Sequence, residues 1–541
     1  MTEHSFRLAL GQISPLLGDV AGNADLVRAA RHEAARAGAD LVLFPELMLA
    51  GGQAAGLTLL PAFQDACRRS CEALARETAD GGPALLLGLP WVEGGRIYNA
   101  LALLDGGVIQ AVRFKVRLGA GGAYDEAGVF SPGPLPGPVP FRGRVRLGLA
   151  IGADIADEEV AECLAETGAE MLLVAASSAY HRGSGDVRMN EAVARVVETG
   201  LPLVWLNAVG RHDEDVLDGA SFALDHERNL TLHLPAFAEA HAVMPWRRER
   251  GAWRSEPGEI ATVPTADAAD YAACVLGLRD HVRRVGSAGI LLALDGPDAA
   301  LDAMMAVDAV GPERVRAVVL TSGAEDRALA DSQAFARTLG IPCRVVPVAP
   351  LGAILAETLG QGIEPTSAAL AAARGALLAA LAAQENLTLL TKATAAAAPT
   401  VDVFDPVKPF SASEIARLCE LRQRWKPAGA LGPEDAIVPA AWLAQRPDPQ
   451  RDEILSALGQ GRRVAEFVAD GHAREMVLAL QEELGRRRAL ARFAAPGVNL
   501  TAEGPRQPPR HGFVDSGEPV HEPDAALVRG VGLSGGESVD F

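Results

Sequence analysis

Lysine is nearly missing from this chain. Only four of its 50 basic residues are lysines, at Lys115, Lys392, Lys408 and Lys426; the rest are arginines. Aromatic residues make up 5%, and cysteine occupies six positions, Cys67, Cys71, Cys163, Cys274, Cys343 and Cys419. Cys67 and Cys71 stand one helical turn apart with no histidine beside them. No cysteine has metal-ligand spacing, so the set reads as small buried hydrophobes in a reducing compartment. A secretory pattern of basic then apolar residues is absent from Met1–Leu10, so no leader is expected. The longest Ala/Leu run, around 368–383, is interrupted by Arg374 and Gly375 and is too short to span a bilayer. The expected location is therefore the cytoplasm. Positive charge is short as well: 50 basic residues face 69 acidic ones, a net charge of −19. Such a balance excludes general nucleic-acid binding and attachment to anionic membranes.

What is present is a globular composition. Hydrophobic residues are 49% and charged residues 22% of 541, a length that predicts two to four domains. Phe6, Leu8 and Leu10 alternate as in a strand, and Asn23 is placed to cap a helix running to about Ala37. Apolar runs at 41–44, 84–89, 145–151, 171–175 and 203–206 read as further strands of a layered α/β domain. The stretch from Trp246 to Thr265, rich in Arg, Glu and Gly, breaks the pattern and reads as a linker. Beyond it, strands are expected at 289–294, 315–320, 343–348 and 387–391. Helices are expected at 298–310, up to Leu339, and at 368–384. Repeated strand–helix units of this length predict a parallel, doubly wound sheet. From about Pro505 the chain is rich in Pro, Gly and charge, which predicts a tail of low order. Within that tail, "LSGGES" at 533–538 imitates a phosphate loop, but only three residues follow it and no helix can begin there.

Several stretches carry a family signal: "LALGQISPLLGDVAGN", "LVLFPEL" at 41–47, "VRFKVRL" at 112–118 and "DVRMNEAVARVVETGLPLVWLNAVG" at 186–210. They resemble the nitrilase-type amidase domain of bacterial glutamine-dependent NAD synthetases. Further on, "DAADYAACVLGLRDHVRR" (267–284), "AVDAVGPERVRAVVL" (306–320), "DPVKPFS" (405–411) and "RRALARFAAPGVNLT" (487–501) resemble the synthetase domain of the same enzymes. The resemblance covers about residues 5–505. It implies an α-β-β-α amidase sandwich over 1–262, a parallel α/β synthetase domain of the pyrophosphate-loop type over 267–505, and a tail over 506–541. It also implies a reaction. Glutamine is hydrolysed in the first domain, and the second uses ATP and magnesium to amidate deamido-NAD with the ammonia released.

Thiolate attack on a carboxamide needs a base for the thiol proton and a cation for the developing oxyanion. The resemblance assigns these roles to Glu46 and Lys115; a plain ion pair at strand ends is the alternative. It places Glu126 and Ser177 at the substrate. At the nucleophile position, where the family has cysteine, this chain has Gly152 in "LGLAIGADIAD". Cys163, eleven residues on, belongs to a helical pattern. A glutamine-contacting tyrosine is Gly121, beside the retained Asp125 and Glu126, and a family lysine is Ser184.

In the second half, the family's small-residue pyrophosphate loop becomes "DGPDAAL". Asp295 and Pro297 replace a serine and a glycine, Gly296 and Asp298 are kept, and Ala299 replaces the last serine. Arg374 and Lys408 remain at nucleotide-binding positions, whereas "LTKATAAAA" (390–398) has lost an acidic residue. Two readings follow. One is a non-catalytic paralogue with no certain cofactor, assembling with itself or with an intact synthetase. The other is a working NAD synthetase with divergent sites that binds ATP and magnesium. No resident metal site is expected in either.

Overall fold

The computed structural model describes residues 5–119, 125–321, 327–359, 367–391, 401–434, 438–444, 448–491 and 495–501. The expectations for Gly121, for 392–398 and for the 506–541 tail lie outside those residues. Two compact units divide between Pro264 and Thr265, and Leu500 rejoins the first, where its carbonyl accepts from the Arg182 N–H at 3.3 Å.

In the first unit the strands are β1 (Ser5–Gln12), β2 (Leu41–Leu43), β3 (Ala84–Glu93), β4 (Arg96–Asp105), β5 (Val108–Phe114), β6 (Val139–Phe141), β7 (Val145–Ile151) and β8 (Met171–Ala176). They continue as β9 (Leu203–Asn207), a hairpin of β10 (Val209–His212) and β11 (Asp215–Asp218), β12 (Phe222–Leu224), β13 (Leu230–His233), β14 (Ala240–Glu249) and β15 (Ala252–Ser255). One sheet runs β15-β14-β1-β2-β3-β4-β5 and the other β13-β12-β9-β8-β7-β6. The two-residue period of a strand sorts the side chains between layers. Phe6, Leu8 and Leu10 of β1 enter the core shared with Leu147, Leu149 and Ile151 of β7, while Ala9 faces Ala24, Val27 and Ala30 of the helix Val20–Arg36. Helices Glu158–Glu166 and Ser184–Thr199 cover the other sheet through Val160, Leu164, Ala192 and Val196. This is the α-β-β-α sandwich.

Two local expectations are corrected. The first helix starts at Val20 and is capped by Asp19, whose carboxylate accepts from the Gly22 N–H. Asn23 lies inside the first turn, fully buried, bonding both main-chain groups of Leu16 and the Leu49 carbonyl. The expected linker is also partly strand. Trp246 and Trp253 are fully buried in the inter-sheet core, and the charges between them lie on an edge hairpin. After β15, 256–265 leads into the second unit.

The second unit holds a parallel sheet of β16 (Gly289–Ala293), β17 (Val315–Thr321), β18 (Cys343–Pro347), β19 (Leu387–Leu390) and β20 (Val403–Phe404), in the order β18-β17-β16-β19-β20. The direction of winding reverses between β16 and β19, the place where doubly wound sheets bind ligands at their strand C-termini. Three helices the sequence patterning did not single out, Pro449–Gly459, Val464–Ala469 and Arg474–Ala491, close a small core of Ile454, Leu458, Phe467 and Val477.

One buried network pins this unit. Arg422 ends the helix Ala412–Arg422 and meets Asp308 of the helix Pro297–Val310 through two bonds, 2.6 and 2.8 Å long. The Tyr271 hydroxyl donates to the same carboxylate at 2.7 Å. Arg422 and Asp308 have no exposed surface. Arg422→Ala leaves a buried carboxylate uncompensated, so it is expected to cost this unit about 3–5 kcal/mol. The check is a lowered urea midpoint; an unchanged one refutes the expectation.

Candidate active site

Glu46, Lys115 and Glu126 come from three distant segments and meet in the interior of the first unit. Glu46 follows β2. Its neighbour Leu47 has φ of 51°, a left-handed conformation that is costly for a residue with a side chain. The strain is held in place by packing. Leu47 is fully buried, and the backbone of Gly88 on β3 lies so close that a Cβ there would meet the Leu47 nitrogen at 2.4 Å and the Pro45 oxygen at 2.5 Å. Lys115 extends β5, its N–H donating to the Asn99 carbonyl on β4 at 2.8 Å. Glu126 opens a single 3-10 turn, Glu126–Gly128.

Lys115 Nζ donates to Glu46 Oε1 at 2.7 Å and to Glu126 Oε1 at 2.8 Å. Asn99 Nδ2 donates to Glu46 Oε1 at 2.7 Å, and the Ser177 N–H to Glu46 Oε2 at 3.1 Å. Ser177 is anchored in turn, its hydroxyl donating to the Glu46 carbonyl at 2.9 Å. The second oxygen of Glu126 accepts from the Gly119 N–H at 2.7 Å, and Gln53 Nε2 reaches the first at 3.2 Å.

Burial alone would lower the Lys115 pKa, but the carboxylates of Glu46 and Glu126 outweigh it and hold the ammonium above the usual lysine range. Burial raises the Glu126 carboxyl, and the neighbouring Glu46 charge adds to that, against Lys115 and the Gly119 N–H. Lys115 is therefore a fixed cation, suited to stabilising an oxyanion.

Gly152 lies at the end of β7 with φ of 51°. A Cβ built there would stand 2.7 Å from Glu46 Oε2 and 3.0 Å from Lys115 Nζ. Position 152 thus faces both charged groups and bears no side chain. Cys163 is in the helix Glu158–Glu166, its sulfur 3.8 Å from the Pro136 carbonyl, and burial raises its thiol pKa. Ser184 begins the helix Ser184–Thr199, and its hydroxyl accepts from the His181 N–H at 3.1 Å. Asp125 is exposed beside the buried Glu126.

Two buried site residues escaped sequence reading. Asn99 is a buried amide inside the otherwise apolar run from Ile97 to Leu104 of β4, which was a usable signal. Asp154 had none: its Oδ1 accepts from the N–H groups of Val116 and Arg117 at 2.9 and 2.7 Å, and its Oδ2 from the Ile151 N–H at 3.1 Å. It ties the end of the lysine strand to the turn at 152. Burial pushes its carboxyl up to about 6, from 3.8, against those donors and Lys115. A raised carboxyl pKa means that the neutral form is favoured on folding. The associated stability is present below about pH 4 and is lost as pH rises through about 6, by roughly 3 kcal/mol. Urea midpoints between pH 4 and 7 should carry this slope, and Asp154→Asn should lack it; equal slopes would refute the assignment.

In the second unit Asp295 and Gly296 follow β16, at the winding reversal, and the helix Pro297–Val310 begins with proline and has no side-chain cap. Asp295 and Asp298 are exposed, and Ala299 is buried. Arg374 is exposed on the helix Ser367–Glu385, and Lys408 is exposed beyond β20. A helix N-terminus attracts anions; here Asp295 places a carboxylate before it and the first helical residue has no N–H to give. No group of three or more His, Cys, Asp or Glu suited to a metal occurs among the described residues.

The fold and the Glu–Lys–Glu cluster define a carbon–nitrogen hydrolase unit followed by an NAD synthase unit. Family models agree, matching Carbon-nitrogen hydrolase over residues 7–238 and NAD synthase over 270–399. A glutamine-dependent NAD(+) synthetase of Rhodobacter capsulatus is 33% identical over 530 residues, 92% of this chain and 96% of its own. One from Thermotoga maritima is 27% identical over 556 residues, with the same coverage of 92% and 96%. The solved structure of a glutamine-dependent NAD+ synthetase from Acinetobacter baumannii, in complex with adenosine diphosphate, matches with a TM-score of 0.76 at 25% identity, covering 95% of this chain and 100% of that one. The chain belongs to the family of glutamine-dependent NAD(+) synthetases.

Proposed function

We propose that this chain is a non-catalytic member of its family, acting in the cytoplasm by assembly with copies of itself or with an intact synthetase. The observation that carries the reading is Gly152: the position facing Glu46 and Lys115 has no atom that can attack a carbonyl carbon. The loop Asp295–Ala299 supports it from the second unit, where the exposed Asp295 carboxylate and Pro297 stand at the helix N-terminus in place of a serine and a glycine. What is retained is scaffold. Both sheets, their cores and the buried Asp308–Arg422 pair are intact, so the folded surfaces on which subunits assemble do not depend on the catalytic side chains. A subunit of this kind tunes a partner by linkage without doing chemistry.

The alternative, a working NAD synthetase with divergent sites, draws on the retained Glu46–Lys115–Glu126 geometry. Co-expression with an intact synthetase from the same organism, followed by sizing and pull-down, tests the assembly role. A co-purifying complex or a self-assembled oligomer is the expected result. A monomer that ignores the synthetase overturns it. NAD formation from deamido-NAD and ATP, with glutamine and with ammonia as separate nitrogen sources, decides the alternative.

A further inference from the structure

We draw no further inference here: the strongest candidate, the alanine-lined cavity of about 200 Å³ between the helix Val20–Arg36 and strands β1, β2 and β14, where Glu33 and His241 stand 3.9 Å apart, is an apolar groove of small residues, and nothing among the described residues shows what covers it.

Discussion

Purified protein supplied with glutamine should release no glutamate above the uncatalysed background. Loss of a catalytic nucleophile lowers kcat by about 10⁶-fold in well-studied hydrolases, roughly 8 kcal/mol of barrier. By the resemblance the nucleophile position is Gly152, and Cys163 sits in a helix with its sulfur against the Pro136 carbonyl. Ser177 is no substitute: its hydroxyl donates to the Glu46 carbonyl and not to a carboxylate that could take its proton. Gly152→Cys alone should not restore turnover. A new Cβ would stand 2.7 Å from the Glu46 oxygen it needs as a base, and by the resemblance Ser184 replaces a family lysine. Steady glutamate release that Glu46→Ala abolishes is the result that overturns this expectation.

Calorimetry with ATP and magnesium should show no binding in the micromolar range. Two unit charges ~4 Å apart at an effective dielectric of ~20 repel by roughly 4 kcal/mol, on the order of 1,000-fold in affinity. Asp295 is exposed at the end of β16, where the polyphosphate of a doubly wound nucleotide domain would lie. Pro297 removes one of the main-chain donors on which such loops depend. A micromolar Kd that Asp295→Arg leaves unchanged would place the phosphate site elsewhere.

The parts of the fold legible in the sequence were those with a strong local period. β1, β7, β8 and β9 were visible as alternating or continuous apolar runs, and the strand–helix rhythm after residue 289 announced the parallel sheet. The errors had local causes. Trp246–Ser255 resembled a linker because an edge hairpin keeps one face in water, where Arg and Glu are at home. Asn23 resembled a cap because capping and burial of an amide draw on the same hydrogen-bonding chemistry; only the loop folding back from Leu16 and Leu49 separates them.

Sequence alone determined the family, the two-unit order, the candidacy of Glu46 and Lys115, and the absence of a thiol at 152, because each of these is a matter of residue identity at a position. Tertiary structure decided everything that depends on distance between remote segments. It brought Glu126 to Lys115, made Asn99 and Asp154 part of the site, and set Gly152 facing both Glu46 and Lys115. The reason is physical: buried charges are stable only where partners converge on them in three dimensions, and partners 69 and 131 residues apart in the chain leave no periodic trace in it.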